Sequence, residues 1–584
     1  MSSVAGMVEI SAQPLFARPQ GMTAGDAASP EATVRLKAAV DGLKLAAVKP
    51  LLDQAVAAIK RGDWKAGSDQ ALEALNVDER SGVAWWLLAI CREKAGDFDG
   101  ALDCYDAALQ LLPDQDAVAN DLGRLAYRRG QKDVAEQLFA HFLAHSPNHP
   151  EAANNLACAL RDRQAYDAAI EVLKPALAAN PTSALMWNTL GTVLNERGEV
   201  EQSLVFYSEA VRLDPRFARA RYNRGNARLT EGDLDGALED VSTALEQADA
   251  EDAPMMRLAR ALALIARGDL ERGWAEYEVR NDPNYSEATR FLIERPRWTR
   301  DDALDGKSLL VIGEQGLGDE ILFGNVLPDV VEALGANGKL TLAVEPRQVK
   351  LFQQSFPDAH VGPHETFRLH DRFTVRTAAF VEAQTIDLWT PLGSLLQRFR
   401  PGVDAFPDRT SFLRADPARV THWSEQLKAL GPDPKVGVLW KSLRMDAARS
   451  RFFAAFDLWR DVLALPGFTF VNLQYGDCTE ELARAKAEGF NVWNPPGIDL
   501  KDDLDDVAAL SCALDLVIGP ANATTNVAAS CGAPVWLLCG AGDWPMLGTD
   551  RHPWYPTVRD FVTPTLGRWD LVMAEVVKAL PQAL

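Results

Sequence analysis

The sequence predicts an α-solenoid followed by an α/β region made of two facing Rossmann-like halves. Two observations predict the solenoid: a 34-residue period running through the first half of the chain, and small residues and prolines recurring at fixed places within it. A third predicts the α/β region, because beyond about residue 305 short apolar strands alternate with helix-like stretches.

The period is read from the turns. Gly96-Asp97-Phe98 has counterparts at Gly62-Asp63-Trp64, Gly130-Gln131-Lys132, Gln164-Ala165-Tyr166, Gly198-Glu199-Val200 and Gly232-Asp233-Leu234, and a seventh unit at Gly268-Asp269-Leu270 is displaced by two residues. Ala101, Ala135, Ala169, Ser203 and Ala237 hold the position where the second helix of each unit packs closely. Pro113, Pro147, Pro181 and Pro215 close the units, since proline cannot continue a helix. This pattern resembles the tetratricopeptide repeat, which implies a superhelix with a groove for a protein partner.

Composition narrows the functional classes. At 584 residues the chain exceeds what one hydrophobic core organises, and 47% hydrophobic with 24% charged residues is a globular balance. A net charge of −22 argues against nucleic acid or an anionic membrane surface as partner. No stretch reads as a secretory signal or a membrane span, so a cytoplasmic location is expected. The seven cysteines lack a CxxC pair, and the eight histidines show no HExxH, so reduced thiols and no metal site are expected.

The expected organisation is a tail and leading helix over 1–45, the tail being mobile, repeats over 46–280, and a Pro- and charge-rich connector over 281–304. The first α/β half spans 305–415 and the second 416–584, with Arg398 to Asp416 dividing them. The strands are the apolar runs 308–312, 340–344, 436–440, 468–471 and 514–518. Such halves bind ligands at their strand carboxyl ends.

Two loops there carry chemistry. The first, Gly313-Glu314-Gln315-Gly316-Leu317-Gly318-Asp319-Glu320, is glycine-rich but holds three carboxylates that would repel a phosphate. Proton chemistry suits it better, with Asp319 accepting a proton from a hydroxyl nucleophile; the alternative is a tight turn with Asp319 as a helix cap. The second, Gly519-Pro520-Ala521-Asn522-Ala523-Thr524-Thr525-Asn526, is neutral and rich in donors, suited either to an anion at a helix start or to plain N-capping.

Between these loops, Lys441, Arg444, Arg449 and Arg451 against Asp446 form a local excess of positive charge, read as neutralising a nucleotide-phosphate leaving group. Gln474 and Tyr475 follow the strand 468–471 and are candidates for base or ribose contacts. Asp503-Leu504-Asp505 spells a DxD but opens a helix, where it reads as a cap. Asn120, Asn154 and Asn188, flanked by Trp86 and Tyr222 on the same spacing, form a row expected to bind the backbone of an extended peptide, because an amide both donates and accepts.

Gly273 to Arg280, Gly313 to Leu322, Val436 to Lys441, Leu504 to Ile518 and His552-Pro553-Trp554-Tyr555-Pro556 together resemble bacterial tetratricopeptide proteins fused to a GT-B glycosyltransferase, over about residues 270–575. The asparagine row is similar to that of O-linked N-acetylglucosamine transferases, and within the group the chain resembles flagellin-modifying transferases of the FlmG type. The resemblance implies a metal-independent protein O-glycosyltransferase with Asp319 as base. Donor contacts would come from Gly316, Gly318, Lys441, Ser442, Arg451, Gln474, Asn522, Thr524, Thr525 and Asn526, and acceptor contacts from Trp86, Asn120, Asn154, Asn188 and Tyr222. The heptosyltransferase-like members carry an Asp-Thr pair and a histidine in the second loop, where this chain has Ala521-Asn522 and Asn526. Losing that negative charge suits a donor whose sugar is itself a carboxylate, such as a CMP-activated nonulosonic acid, over UDP- or ADP-sugars. The implied partner is a protein acceptor, flagellin, with oligomer formation through the repeats a further expectation. The competing readings are a repeat scaffold with a degenerate transferase region and a transferase acting on a glycan or lipid-linked acceptor.

Overall fold

The computed structural model describes residues 30–113, 115–369, 373–443, 445 and 447–584. Residues 1–29 of the expected tail and leading helix, together with Arg444 and Asp446 of the basic run, lie outside them. The chain divides into two compact units, Met1–Val193 and Leu194–Leu584.

The first unit is a stack of helical hairpins. Its helices begin with Pro30–Lys60, Trp64–Val77 and Gly82–Ala95, and alternate regularly to the end of the unit. The turn chemistry explains the repeat: the first turn residue takes a left-handed conformation (Gly62 φ 77°, Gly96 φ 85°, Gly130 φ 78°), which glycine adopts without steric cost. The aspartate that follows caps the next helix, Asp63 accepting from Ala66 N and Asp97 from Gly100 N, each at 3.0 Å. Where the sequence substitutes glutamine, Gln164 adopts φ 63° all the same. Ala101, Ala135 and Ala169 are fully buried at the expected close contacts. The helices Phe98–Leu111, Lys132–His145 and Tyr166–Ala179 each end two residues before the closing proline.

The second unit opens with the remaining repeat helices, Val200–Leu213, Ala218–Thr230, Leu234–Gln247, Ala253–Ala266 and Leu270–Tyr277. Among the described residues thirteen strands follow: β1 (Arg290–Phe291), β2 (Ser308–Ile312), β3 (Lys339–Val344), β4 (His360–Pro363), β5 (Glu365–Leu369), β6 (Phe373–Thr377), β7 (Leu388–Pro391), β8 (Lys435–Val438), β9 (Thr469–Asn472), β10 (Val492–Trp493), β11 (Leu516–Pro520), β12 (Val535–Cys539) and β13 (Arg559–Val562).

Two all-parallel sheets result, ordered β4-β3-β2-β7 and β10-β9-β8-β11-β12-β13. Their central strands are apolar on both faces because helices cover each side. A small third sheet, β1-β6-β5, was not expected. Its β5 is exposed at every residue, so it lacks the apolar run by which the other strands announce themselves. The sequential order reverses between β2 and β7 in one sheet and between β8 and β11 in the other, which places a crevice at the carboxyl ends of those strands. The repeats within this unit share its core, since Trp274 and Tyr277 pack with Phe323 and Trp554. Gly542 also has no room for a Cβ against the Leu229 carbonyl, so the loop after β12 abuts the turn of a repeat.

Candidate active site

The first glycine loop follows β2 and opens the helix Leu317–Phe323; the second follows β11 and opens the helix Ala523–Ser530. Their helix heads meet. Asn526 Nδ2 donates to Gly318 O at 3.1 Å, and a Cβ built on Gly318 would lie 3.5 Å from both Ala523 N and Asn526 Nδ2. A methyl group at Gly318 would therefore touch the second loop at ordinary van der Waals distance.

The three carboxylates of the first loop have different fates. Glu314 is buried and takes Arg280 Nε and an Nη–H at 2.8 and 2.7 Å, together with Gly393 N at 2.6 Å. Glu320 is also buried, paired with Arg376 at 3.3 Å and His364 Nε2 at 2.9 Å, and accepts from Glu345 N at 2.9 Å. Asp319 has no cationic partner among the described residues and accepts only from Gly316 N, at 3.2 Å. Burial pushes its carboxyl up to about 6; Glu314 and Glu320 push the same way, and the Gly316 N–H opposes them. The helix-cap reading is met: the bond to Gly316 N orients the Asp319 carboxyl at the head of Leu317–Phe323. Expected phosphate repulsion from three charges is corrected by geometry, since two of them are neutralised.

In the second loop Asn522 is the N-cap, its Oδ1 accepting from Thr525 N at 3.2 Å while Thr525 Oγ1 accepts from Asn522 N at 3.0 Å. Asn522 Nδ2 is buried with no partner among the described residues. Thr524 is 3% exposed and Thr525 is fully buried, the latter donating through Oγ1 to Pro520 O at 2.9 Å. Thr525 is thus a structural cap and not a ligand donor, a correction to its expected role. The donors this loop leaves without a side-chain partner are amides at its helix head and Asn522 Nδ2.

Three further expectations change. Gln474 is 1% exposed and spends its amide on backbone: Oε1 accepts from Trp440 N and Lys441 N, each at 2.9 Å, and Nε2 donates to Lys441 O and Tyr475 O at 3.1 and 2.8 Å. It fixes the loop after β8 instead of contacting a base. Lys441 forms an ion pair with Glu481, and Ser442 follows it, half-buried. Arg451 points to the repeats, donating to Asn195 O at 2.7 Å, while its own carbonyl accepts from Trp569 Nε1 at 2.7 Å; it is engaged with a repeat helix, where a phosphate contact was expected.

The asparagine row is also corrected. Asn120, Asn154 and Asn188 are buried, and Trp86 is 1% exposed. Asn120 donates to Glu151 at 2.9 Å and accepts from Asn155 at 2.9 Å; Asn154 accepts from Thr189 at 2.5 Å; Trp86 Nε1 donates to Asp121 at 2.9 Å. The side chains of Asn120, Asn154 and Trp86 thus join neighbouring repeats, where contacts to a peptide backbone were expected. Tyr222 is half-buried against Val241 and Ala263. Asp503 caps its helix as expected, accepting from Asp506 N at 3.1 Å.

Sequence reasoning missed Arg280, Arg376 and His364, the partners of Glu314 and Glu320. The available signal was Arg280 itself, the last residue of the junction run Gly273 to Arg280.

Tetratricopeptide repeat families match residues 82–115, 120–184, 191–232 and 222–286. Such repeats generally bind protein partners. The chain is 48% identical over 559 residues to Protein FlbA of Caulobacter vibrioides, covering 95% of this chain and 94% of that protein. Among solved structures, a tetratricopeptide repeat protein from Parabacteroides merdae is 17% identical over 40% of this chain and 91% of its own, with a TM-score of 0.36. TTC0263, a thermophilic TPR protein of Thermus thermophilus, is 24% identical over 32% of this chain and all of its own, with a TM-score of 0.29. No helix among the described residues is long and apolar enough to cross a membrane.

Proposed function

The chain belongs to the family of Protein FlbA, and from that premise we propose that it is a protein O-glycosyltransferase of the GT-B kind, moving a sugar from a nucleotide-sugar to Ser or Thr of a protein held by the repeats. The observation that carries the reading is the isolation of Asp319: alone among the carboxylates of its loop it lacks a cation among the described residues, and it stands where the heads of two helices meet.

In the proposed reaction Asp319 takes the proton of the acceptor hydroxyl as its oxygen bonds the anomeric carbon. The bond from that carbon to the nucleotide phosphate breaks, and the phosphate leaves with the electron pair. Its charge falls on the amides at the head of Ala523–Ser530 and on Asn522 Nδ2, fixed donors that need no reorganisation during the step. No metal ion has a role in this scheme. The resemblance to flagellin-modifying transferases supplies the acceptor, flagellin, and with the neutral second loop favours a CMP-activated nonulosonic acid as donor.

The test is intact-mass analysis of flagellin incubated with purified protein and either a CMP-nonulosonic acid or UDP-sugars. A sugar-sized gain with the CMP donor, absent in Asp319→Asn, supports the reading; tight UDP-sugar use with no CMP-sugar binding overturns the donor assignment.

A second reading, a repeat scaffold whose transferase region is degenerate, draws on the internal engagement of Gln474, Thr525 and Arg451. Absence of any nucleotide-sugar binding by calorimetry would favour it.

A further inference from the structure

We propose that Arg280, immediately beyond the last repeat helix, is a positioning residue for Asp319: by fixing and neutralising Glu314 it sets the place and the charge environment of the loop that carries the base. The proposal rests on the reading of Asp319 as that base.

Arg280 lies in the short 3-10 turn Glu278–Asn281, directly after the helix Leu270–Tyr277, and is 4% exposed. All five of its guanidinium N–H groups have acceptors. Two go to Glu314 at 2.7 and 2.8 Å, and the others to Tyr277 O at 3.0 Å, Glu278 at 2.8 Å and Ser394 Oγ at 3.2 Å. A single planar fork thus ties the end of the repeats, the loop after β2 and the turn after β7. Gly393 is needed there, since a Cβ would fall 2.7 Å from Glu314 Oε1 and 3.0 Å from the guanidinium.

The loop so held is strained. Gln315, next to Glu314, sits at φ 60°, a conformation costly for a residue other than glycine. Arg376 grips the other side through Gly313 O at 2.6 Å. Such a turn persists only when its surroundings over-determine it, and its product is the placement of Gly316 and Asp319 at the helix head.

The charge environment follows from the same contacts. Glu314 and Glu320 face Asp319 from its own loop and helix, and Tyr277 faces it from the last repeat helix. Arg280 offsets Glu314; Arg376 and His364 offset Glu320. The packed helix Ala523–Ser530 presents only the neutral Asn522 and Asn526. Removing Arg280 leaves Glu314 uncompensated beside Asp319, which raises the pH needed to ionise the base. Removing the Glu314 charge lowers it.

The experiment uses the full chain as Arg280→Met, Glu314→Gln and the double variant, each with and without Asp319→Asn. The pH dependence of Tm is compared within each pair, so that Asp319 ionisation is read without any substrate, and flagellin transfer from a CMP-nonulosonic acid is profiled in parallel. In the wild-type pair, Asp319 loses stability relative to Asn as pH rises to about 6. The expected result is that this step and the acid limb of transfer move up by on the order of one pH unit in Arg280→Met, move down in Glu314→Gln, and return near wild type in the double variant. A step that stays fixed across the variants, with rate or Tm merely lowered, overturns the proposal. If Arg280→Met does not fold, Glu314→Gln and the double variant decide by the same criterion. A step that moves while no donor supports transfer leaves the coupling standing and removes the transferase reading.

Discussion

Asn155 donates through Nδ2 to Asn120 Oδ1 at 2.9 Å, joining neighbouring repeats across 35 residues. Thr189 to Asn154 and Trp86 to Asp121 repeat the same offset. One repeat length plus one residue therefore links the matching helices of successive units, and the row spaced at 34 residues is the buried side of a ladder. Asn120→Ala would remove the bonds that buried Asn120 makes to Asn155 and Glu151, so a loss of about 1–3 kcal/mol in urea unfolding is expected. Isosteric Asn120→Asp should also destabilise, because it keeps the acceptor and places a second carboxylate beside Glu151.

The chemistry of Asp319 gives a pH prediction with a fixed sign. Its carboxyl titrates at about 6, above the ordinary aspartate value, because burial disfavours the charge. A base must be ionised to act, so transfer is expected to fall as pH drops through about 6, with a single protonation. Asp319→Asn should remove that limb and cost about 10²–10⁴-fold in kcat at neutral pH, with acceptor affinity measured by calorimetry unchanged. Equal losses in binding and turnover would remove Asp319 from the chemistry.

The repeats were legible because each unit writes its own turn: a glycine that accepts positive φ, an aspartate that caps, an alanine where helices touch. The parallel strands were legible because double burial makes them continuously apolar. What could not be read was pairing across the fold. Glu314, Asp319 and Glu320 look alike along the chain, and only Arg280 and Arg376, arriving from 34 residues upstream of Glu314 and 56 downstream of Glu320, separate two neutralised carboxylates from one that is not. The asparagine row failed for a related reason. A period fixes which residues share a place in the repeat and says nothing about which side of that place faces a neighbour.

Gln164 tests the turn argument. It occupies the left-handed position that glycine holds in the adjacent turns, at φ 63°, where an L side chain costs roughly 1–2 kcal/mol. Gln164→Gly removes that cost and adds backbone entropy to the unfolded chain, so a net gain of about 0.5–1 kcal/mol is expected in thermal or urea unfolding. The reverse change at an equivalent turn, Gly130→Gln at φ 78°, should lose a similar amount.

Gly318 separates room for folding from room for a ligand. A methyl group there would lie 3.5 Å from Ala523 N and from Asn526 Nδ2, ordinary contact distances, so Gly318→Ala should fold with a Tm change of only about 2 °C or less. The same methyl would stand over the amide at the head of Ala523–Ser530, the place assigned to the departing phosphate. Donor binding is therefore expected to weaken about tenfold or more while stability holds, because an anion cannot reach that amide at hydrogen-bond distance with a methyl group in between. Calorimetric titration of a CMP-sugar into wild type and Gly318→Ala makes the comparison, and unchanged affinity would move the phosphate away from this helix head. Gly318→Val serves as the internal control: its larger side chain has no space between the two loops, so it should lose both donor binding and stability, and the Asn526 to Gly318 bond with them.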